Sequence, residues 1–266
     1  MYIFKYVLLY IGTGFVARVI RFTIASNSVK ITISISLFGG ETLLQEIIQV
    51  YFARQDYFHE LLLEHLQLSA ISILLALIIG LALGILIAEH DKFSIPVLGT
   101  INFIYTIPSI ALFGILLPVT GLGNTTAIIA LTVYALLPMV RNTYAGLTNI
   151  DPVILEAGLG MGSTRWQLLW KVKLPLALPV IMAGIRNMVV MVIATCGIAS
   201  FIGAGGLGVA IFRGITTYQL ALTYLGSLMI AAVALLCDIL LGIVEKRITM
   251  RVTGNVPDRK RKPYYK

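Results

Sequence analysis

Charged residues are scarce in this sequence of 266 residues, at 12% of the total, whereas 58% are hydrophobic. A soluble domain carries about 25% charged residues and about 45–50% apolar ones. The shortage of charge excludes an ordinary soluble domain and indicates a protein that faces lipid. The apolar runs are also continuous, whereas the strands of a membrane barrel show alternation over segments of roughly ten residues. The composition therefore predicts an all-α, polytopic membrane helix bundle.

Residues that hold metals or nucleotides are scarce as well. The two cysteines, Cys196 and Cys237, lie inside apolar runs, which predicts packing and not a disulfide framework or a metal site. The histidines His59, His65 and His90 match no metal-ligand spacing, and surface or interface positions are expected for them. No Gly-Lys pair occurs, which excludes a Walker A loop. We expect no metal, no cofactor and no enzyme activity in this chain.

Positive charge is concentrated at one end of the chain. The net charge is +8, and residues 245–266 hold eight Lys and Arg residues against two acidic ones. A basic tail that follows an apolar run is typical of a cytoplasmic anchor beside a membrane. We therefore predict a basic cytoplasmic tail over 245–266 and no nucleic-acid partner.

Five apolar stretches predict transmembrane helices, since a span needs about 20 mainly apolar residues. With the C-terminus in the cytoplasm, counting back places residues 141–175 on the cytoplasmic side and an amphipathic segment, 41–65, outside. The protein is thus predicted to be a multi-pass cell-membrane protein, with its membrane domain over 66–244. The predicted spans are residues 66–88, 95–118, 125–139, 178–202 and 220–244.

The first 40 residues admit several interpretations. Residues 6–17 are apolar, but Arg18 and Arg21 follow and leave a stretch too short to span comfortably. A sixth span and an interfacial amphipathic helix both remain open. A leader is a third alternative, although no small-residue cleavage site stands out.

The cytoplasmic stretch between the third and fourth spans predicts a helix–turn–helix. Asp151 can cap the first helix, and Pro152 suits its first turn. Gly162 allows a tight reversal because glycine tolerates positive φ. Ser163 is expected to cap a second short helix, and Pro175 marks the entry to the fourth span.

This stretch resembles the coupling loop of permeases of ATP-binding-cassette (ABC) importers. The family pattern is Glu-Ala-Ala, three residues, Gly, nine residues, Ile, any residue, Leu-Pro, and this sequence keeps the spacing with Gly and Val as the two departures. The resemblance implies that the loop, within 141–175, docks on a separate ATPase subunit. The alternative is an ordinary loop punctuated by Gly and Pro. The motif positions are Glu156, Ala157, Gly158, Gly162, Val172, Leu174 and Pro175.

Residues 104–114, 135–144 and 201–208 resemble the osmoprotectant branch of these permeases, which imports quaternary amines such as glycine betaine, carnitine and choline. The resemblance implies an extracellular or periplasmic substrate-binding protein and a second permease copy, or a similar permease, within membrane lipid. Two alternatives remain: an ABC permease for another small solute such as an amino acid, and an ion-coupled secondary transporter. Such transporters typically show internal repeats, which are not evident here.

Two charged residues lie inside predicted spans, where charge is costly and usually paired or functional. Arg186 and Asp238 should lie at similar depth in the fourth and fifth spans, which predicts an ion pair. Alternatively, Arg186 reaches the interface while Asp238 faces a cavity or a subunit contact.

Glycines follow the fourth span at its predicted outer end. Their spacing matches a dinucleotide fingerprint, but no strand–helix–strand unit surrounds it. A helix break that contributes to an outer gate and simple turn chemistry are the two interpretations. The residues concerned are Gly203, Gly205, Gly206 and Gly208.

Tyr105, Tyr134 and Tyr144 lie near the predicted path through the membrane. Aromatic rings bind quaternary ammonium ions well. Tyrosine in a membrane helix is nevertheless more often a packing or interface residue, so the sequence alone assigns no ligand to them.

Overall fold

The computed structural model describes residues 10–11, 18–26, 29–37 and 40–253. Three strands precede a set of helices that follow one another with short connections. The strands are β1 Tyr10–Ile11, β2 Arg18–Ser26 and β3 Val29–Leu37. The helices are α1 Gly40–Ala53, α2 Gln55–Glu89, α3 Ser94–Thr106, α4 Ser109–Thr120, α5 Asn124–Thr148, α6 Pro152–Gly160, α7 Arg165–Leu168, α8 Leu174–Cys196, α9 Gly208–Thr216 and α10 Leu220–Thr253.

The described residues before α1 form an antiparallel sheet in the order β1-β2-β3. β2 pairs with β3 along its whole length. The structure therefore has paired strands over 18–26 and 29–37, within the first 40 residues, for which the sequence left a sixth span, an interfacial helix or a leader open. Ile31, Ile33 and Ile35 alternate with Thr and Ser, and this period of two favours a strand. Most of the apolar stretch 6–17, and the tail beyond residue 253, lie outside the described residues.

The predicted all-α membrane bundle is confirmed over residues 40–253, with four helical stretches long and apolar enough to cross a membrane and a bent pair that makes up to five. The four stretches are α2, α5, Arg165–Ile202 and α10, with Arg165–Ile202 joining α7 and α8 through a π turn. The helices are longer than predicted. In particular, α2 begins at Gln55, so the predicted boundary at residue 66 falls inside a continuous helix.

The second predicted span is the bent pair, in which α3 and α4 meet at 100°. Pro108 lacks an N–H and disfavours helical geometry in the residue before it, and Ile107 accordingly has extended angles of φ −69° and ψ 125°. The Tyr134 hydroxyl on α5 donates a hydrogen bond to the Ile107 carbonyl. The carbonyl freed by the break therefore has a partner inside the bundle, as a break within a membrane requires.

The α5 helix lies at the centre of the bundle, between α2, α4 and α8. Small residues let its neighbours approach, which is common where membrane helices pack. A β-carbon at Gly84 of α2 would lie 2.5 Å from Thr143 Cβ, and one at Gly184 of α8 would lie 2.6 Å from Asn142 Cβ. Backbone proximity at these two contacts holds the three long helices together.

Candidate functional site

The α6–α7 hairpin (residues 151–168) begins and reverses as its sequence predicts. Asp151 Oδ1 accepts a hydrogen bond of 3.0 Å from the Val153 N–H, which caps α6. Gly162 has φ +83°, in the left-handed region that favours glycine. The Ser163 N–H donates to the Gly158 carbonyl at 3.2 Å and closes the turn.

The cap of the second helix differs from the prediction, because it is Thr164 and not Ser163. The Thr164 hydroxyl accepts from the Gln167 N–H at 3.3 Å, and the Gln167 side chain accepts from the Thr164 N–H at 2.9 Å. This reciprocal pair needs Glu or Gln three residues after the cap. Only Thr164 satisfies that spacing, since Trp166 stands three residues after Ser163.

The seven motif positions are spread over the hairpin and the start of α8. Glu156 and Ala157 are exposed on α6, whereas Gly158 is buried against Leu168 of α7. A β-carbon at Gly158 would lie 2.7 Å from Leu168 Cδ1, so glycine here brings the two helices close together. The remaining positions are Gly162 in the turn, Val172 in the π segment, and Leu174 and Pro175 in the first turn of α8.

A π segment, Leu169–Lys173, connects the hairpin to α8. Pro175 cannot donate to the preceding turn, and the wider turn before it accommodates this missing bond. Lys173 Nζ lies 2.6 Å from Glu89 Oε1 at the end of α2. The hairpin is therefore attached to the end of a second membrane helix, by a pair that the sequence analysis did not identify although both residues flank predicted spans on one side of the membrane.

The hairpin presents large apolar side chains to its surroundings. Met161 at the turn is 81% exposed and Trp166 on α7 is 71% exposed. Contiguous exposed apolar side chains in a segment that projects from a bundle mark an interaction surface. The other members of this surface are Val153, Ile154 and Leu159 in the hairpin and Trp170 in the adjoining π segment.

The structure brings Arg186 and Asp238 together. Arg186 Nε lies 2.6 Å from Asp238 Oδ1 and Nη2 lies 2.8 Å from Oδ2, a bidentate geometry. Glu245, which the sequence analysis missed, accepts from Nη1 at 3.2 Å. Its seven-residue spacing from Asp238 places both on one face of α10 and is the signal that could have found it. Gly242 between them leaves room for the guanidinium, since a β-carbon there would lie 3.2 Å from Arg186 Cζ.

The four glycines of the proposed outer gate lie in and after the loop that follows a 3-10 segment, Gly197–Ile202. Gly203 and Gly206 have φ +77° and +94°. The Gly206 N–H donates to Glu64 Oε2 on α2 at 2.9 Å, and the Gly205 N–H donates to Asn124 Oδ1 on α5 at 3.1 Å. Gly208 begins α9, where a β-carbon would lie 2.0 Å from the Gly197 carbonyl oxygen. The loop is thus held between two spans by its own backbone.

His65 is not at a surface, contrary to the sequence expectation. Its side chain is fully buried, and Nε2 lies 3.1 Å from the Ile193 carbonyl oxygen on α8. His59 and His90 are exposed. Among the described residues, no three His, Cys, Asp or Glu side chains are grouped so that they could hold a metal ion.

Similar proteins identify the type of molecule to which this arrangement belongs. The family model described as "Binding-protein-dependent transport system inner membrane component" matches residues 80–250. The carnitine transport permease protein OpuCD of Listeria monocytogenes is 41% identical over 221 residues, which cover 83% of this chain and 96% of that protein. The glycine betaine/carnitine/choline transport system permease protein OpuCD of Bacillus subtilis is 40% identical over 222 residues, which cover 82% and 97%.

A solved structure has the same fold. An inward-facing conformation of the MetNI methionine ABC transporter matches with a TM-score of 0.65 and 25% identity, over 70% of this chain and 93% of that one. The matched family region contains the hairpin, the Arg186 cluster and the glycine loop. The chain therefore belongs to the family of binding-protein-dependent ABC transport permeases, as a multi-pass inner-membrane subunit that is not itself an enzyme and works with an ATPase and a substrate-binding protein.

Proposed function

We propose that this chain is the membrane subunit of an ATP-driven importer of a quaternary-amine osmoprotectant such as glycine betaine, carnitine or choline. The observation that carries the proposal is the exposed apolar face of the α6–α7 hairpin, which supplies a docking surface for the ATPase. The relatives named for carnitine and for glycine betaine, carnitine and choline support the substrate class, at 41% and 40% identity over most of the chain. The importer moves solute by conformational switching, with no bond chemistry in this chain.

The hairpin transmits movement of the ATPase to the membrane helices. Met161, Leu159 and Val153 are its most exposed apolar residues on and beside α6, at 81%, 51% and 68%. Glu156 and Ala157 lie on the same short helix and are exposed as well. The ion pair of Lys173 with Glu89 and the continuity of Arg165–Ile202 connect this surface to α2 and α8. A displacement of the hairpin is therefore passed directly to two spans.

A second permease copy, or a similar permease, and membrane lipid cover the outward faces. Leu235, Leu236 and Leu240 on α10 are 59%, 61% and 62% exposed, as expected for a helix that contacts lipid or another subunit. We place the C-terminus in the cytoplasm because basic residues cluster there. An extracellular or periplasmic binding protein delivers solute at the opposite end, where the glycine loop over 203–208 forms part of the outer gate.

The alternatives are less well supported. Family membership decides against an ion-coupled secondary transporter. An amino-acid permease is favoured by structural similarity, as to the methionine transporter at 25% identity. The higher identity of the quaternary-amine permeases makes that class the better candidate.

Copurification tests the docking surface. The permease, tagged and coexpressed with its ATPase subunit, is extracted in mild detergent, and the captured ATPase is quantified for wild type and Met161→Glu. We expect the variant to capture roughly tenfold less ATPase, because a buried interface core tolerates charge poorly. Leu122→Glu is the matched control, since Leu122 is 76% exposed in the turn between α4 and α5 at the opposite end of the bundle. Equal capture by wild type and Met161→Glu would contradict the docking assignment.

Uptake tests the substrate class. Proteoliposomes that contain permease, ATPase and binding protein should accumulate radiolabelled glycine betaine, carnitine or choline when ATP is supplied. The same vesicles should not accumulate methionine. Methionine uptake without any quaternary-amine uptake would establish the amino-acid alternative instead.

A further inference from the structure

Polar and aromatic side chains lie beside the break between α3 and α4, near the middle of α5. Tyr134 stands ten residues into α5, a helix of 25 residues. Its ring centroid lies 5.6 Å from that of Tyr105 at the end of α3, and the ring planes meet at 59°. Tyr105 is 43% exposed. The two rings therefore form an open wedge beside the break between α3 and α4.

The wedge has a fixed shape. The Tyr134 hydroxyl donates to the Ile107 carbonyl at the helix break, and the Tyr105 hydroxyl lies 3.6 Å from Met191 Sδ on α8. Each phenol thus contacts a different element, while the Tyr105 ring is exposed and the Tyr134 ring is half-buried beside it. An arrangement held in advance loses little conformational entropy when a ligand binds.

Two asparagines continue this surface in one direction. Asn102 lies three residues before Tyr105 on α3, and Asn187 lies four residues before Met191 on α8, so each shares a helix face with its neighbour. Both are exposed, and neither has a hydrogen-bond partner among the described residues. α3 and α8 both begin at the predicted cytoplasmic side, so both amides lie one turn toward the cytoplasm from the tyrosines.

This combination does not suit a lipid-facing surface. An amide without a partner in hydrocarbon is costly, and polar groups within spans usually face a water-filled cavity or a substrate pathway. Aromatic faces attract a quaternary ammonium ion, most strongly where water is excluded. The surface offers a ligand aromatic rings and neutral amides, since its five members carry no charge: Asn102, Tyr105, Tyr134, Asn187 and Met191.

We propose that Tyr105 and Tyr134 form a transient binding site for the quaternary ammonium group of the solute on its way through the membrane. The amides of Asn102 and Asn187 form hydrogen bonds with the carboxylate or hydroxyl at the other end of the same solute. This inference rests on the proposed function and assigns the residues of the path to that substrate class.

The test compares Tyr105→Leu with Tyr105→Phe in proteoliposomes that contain the ATPase and the binding protein, with radiolabelled glycine betaine as the probe. Leu removes the ring, whereas Phe keeps it and removes only the hydroxyl. We expect Tyr105→Leu to lower the maximal uptake rate roughly tenfold and Tyr105→Phe to stay within about threefold of wild type, because the aromatic face and not the hydroxyl attracts the ammonium group. The KM should remain unchanged, since the binding protein captures the solute.

Tyr224→Leu is the matched control and should transport as wild type does, because Tyr224 is 48% exposed on α10. Capture of the ATPase subunit by each variant shows whether it is folded and assembled. Tyr105→Leu that assembles and transports at the wild-type rate would overturn the proposal. A Phe variant as slow as the Leu variant would also overturn it, since the ring would then not be the functional group.

The outcomes separate the two proposals. A wild-type assembly that imports no quaternary amine contradicts the proposed function itself. A wild type that imports glycine betaine, with an equally active Tyr105→Leu, contradicts only the binding site. A Tyr105→Leu variant that no longer captures the ATPase would assign Tyr105 to packing and would contradict the binding site.

Discussion

Arg186 shows how one charged residue is accommodated within a membrane bundle. Its guanidinium binds Asp238 through two bonds of 2.6 and 2.8 Å and Glu245 through a third of 3.2 Å. Since a charge without a partner in a span is costly, the two carboxylates make an arginine acceptable on α8. The cluster joins α8 to α10 in the half of the bundle nearest the basic tail.

Exchange of the two charges tests this cluster. Arg186→Asp and Asp238→Arg should each lower the melting temperature of the purified permease by several degrees, because each places like charges together. The double variant should recover most of the loss, since an arginine on α10 can reach an aspartate on α8. Thermal unfolding in detergent measures all three. Glu245→Gln is the control for the third contact, and a double variant no more stable than the singles would show that the pair does not stabilise the bundle.

At the scale of elements, close backbone approach at glycines positions the long helices. Gly80 and Gly84 of α2 face Met139 and Thr143 of α5 at separations that leave no room for a side chain. Dispersion and short-range packing, and not the hydrophobic effect, drive such association in lipid. The α2–α5 contact is therefore the part of the bundle most sensitive to added volume.

Gly84→Leu should prevent correct assembly of the bundle. A β-carbon there would lie 2.5 Å from Thr143 Cβ, and overpacking costs typically about 1–3 kcal/mol, occasionally more. Gly114→Leu on α4 is the matched control, since a β-carbon at Gly114 meets nothing within 4 Å. Size-exclusion profiles of the two variants should differ, with a monodisperse peak only for Gly114→Leu. A Gly84→Leu profile identical to that of wild type would contradict the prediction.

At the scale of the whole molecule, two exposed turns lie at opposite ends of the bundle. Leu122, between α4 and α5, is 76% exposed, and Met161 in the hairpin is 81% exposed. Because the two turns flank α5, a single crossing by α5 places them on opposite sides of the membrane. One turn then lies on the side of the binding protein and the other on the side of the ATPase. The basic C-terminal segment predicts that the hairpin side is cytoplasmic.

Thiol accessibility tests the orientation. In a background that carries Cys196→Ala and Cys237→Ala, an impermeant maleimide added to intact cells or spheroplasts should label Leu122→Cys and leave Met161→Cys unlabelled. Disruption of the membrane should increase the labelling of Met161→Cys at least several-fold. Labelling of Met161→Cys from outside would reverse the orientation and remove the hairpin from the ATPase side.

The sequence by itself determined the class of molecule, most of the spans and the hairpin. These follow from local chemistry: the length of an apolar run, a proline that suits the first turn of a helix, an aspartate that caps one, and a glycine that permits φ of +83° at position 162. Each acts over a few residues, so a linear reading finds it. The Arg186–Asp238 contact was also accessible, because two charges at equal depth have few other partners.

The tertiary structure alone decided which distant groups meet. The 100° angle between α3 and α4, the burial of His65 against the Ile193 carbonyl and the addition of Glu245 to the Arg186 cluster depend on how helices are placed beside one another. Hydropathy is a one-dimensional quantity and carries no information on which face of a uniformly apolar helix meets its neighbour. Steric fit at positions such as Gly84 and Gly184 makes that choice, and it exists only once the helices are packed.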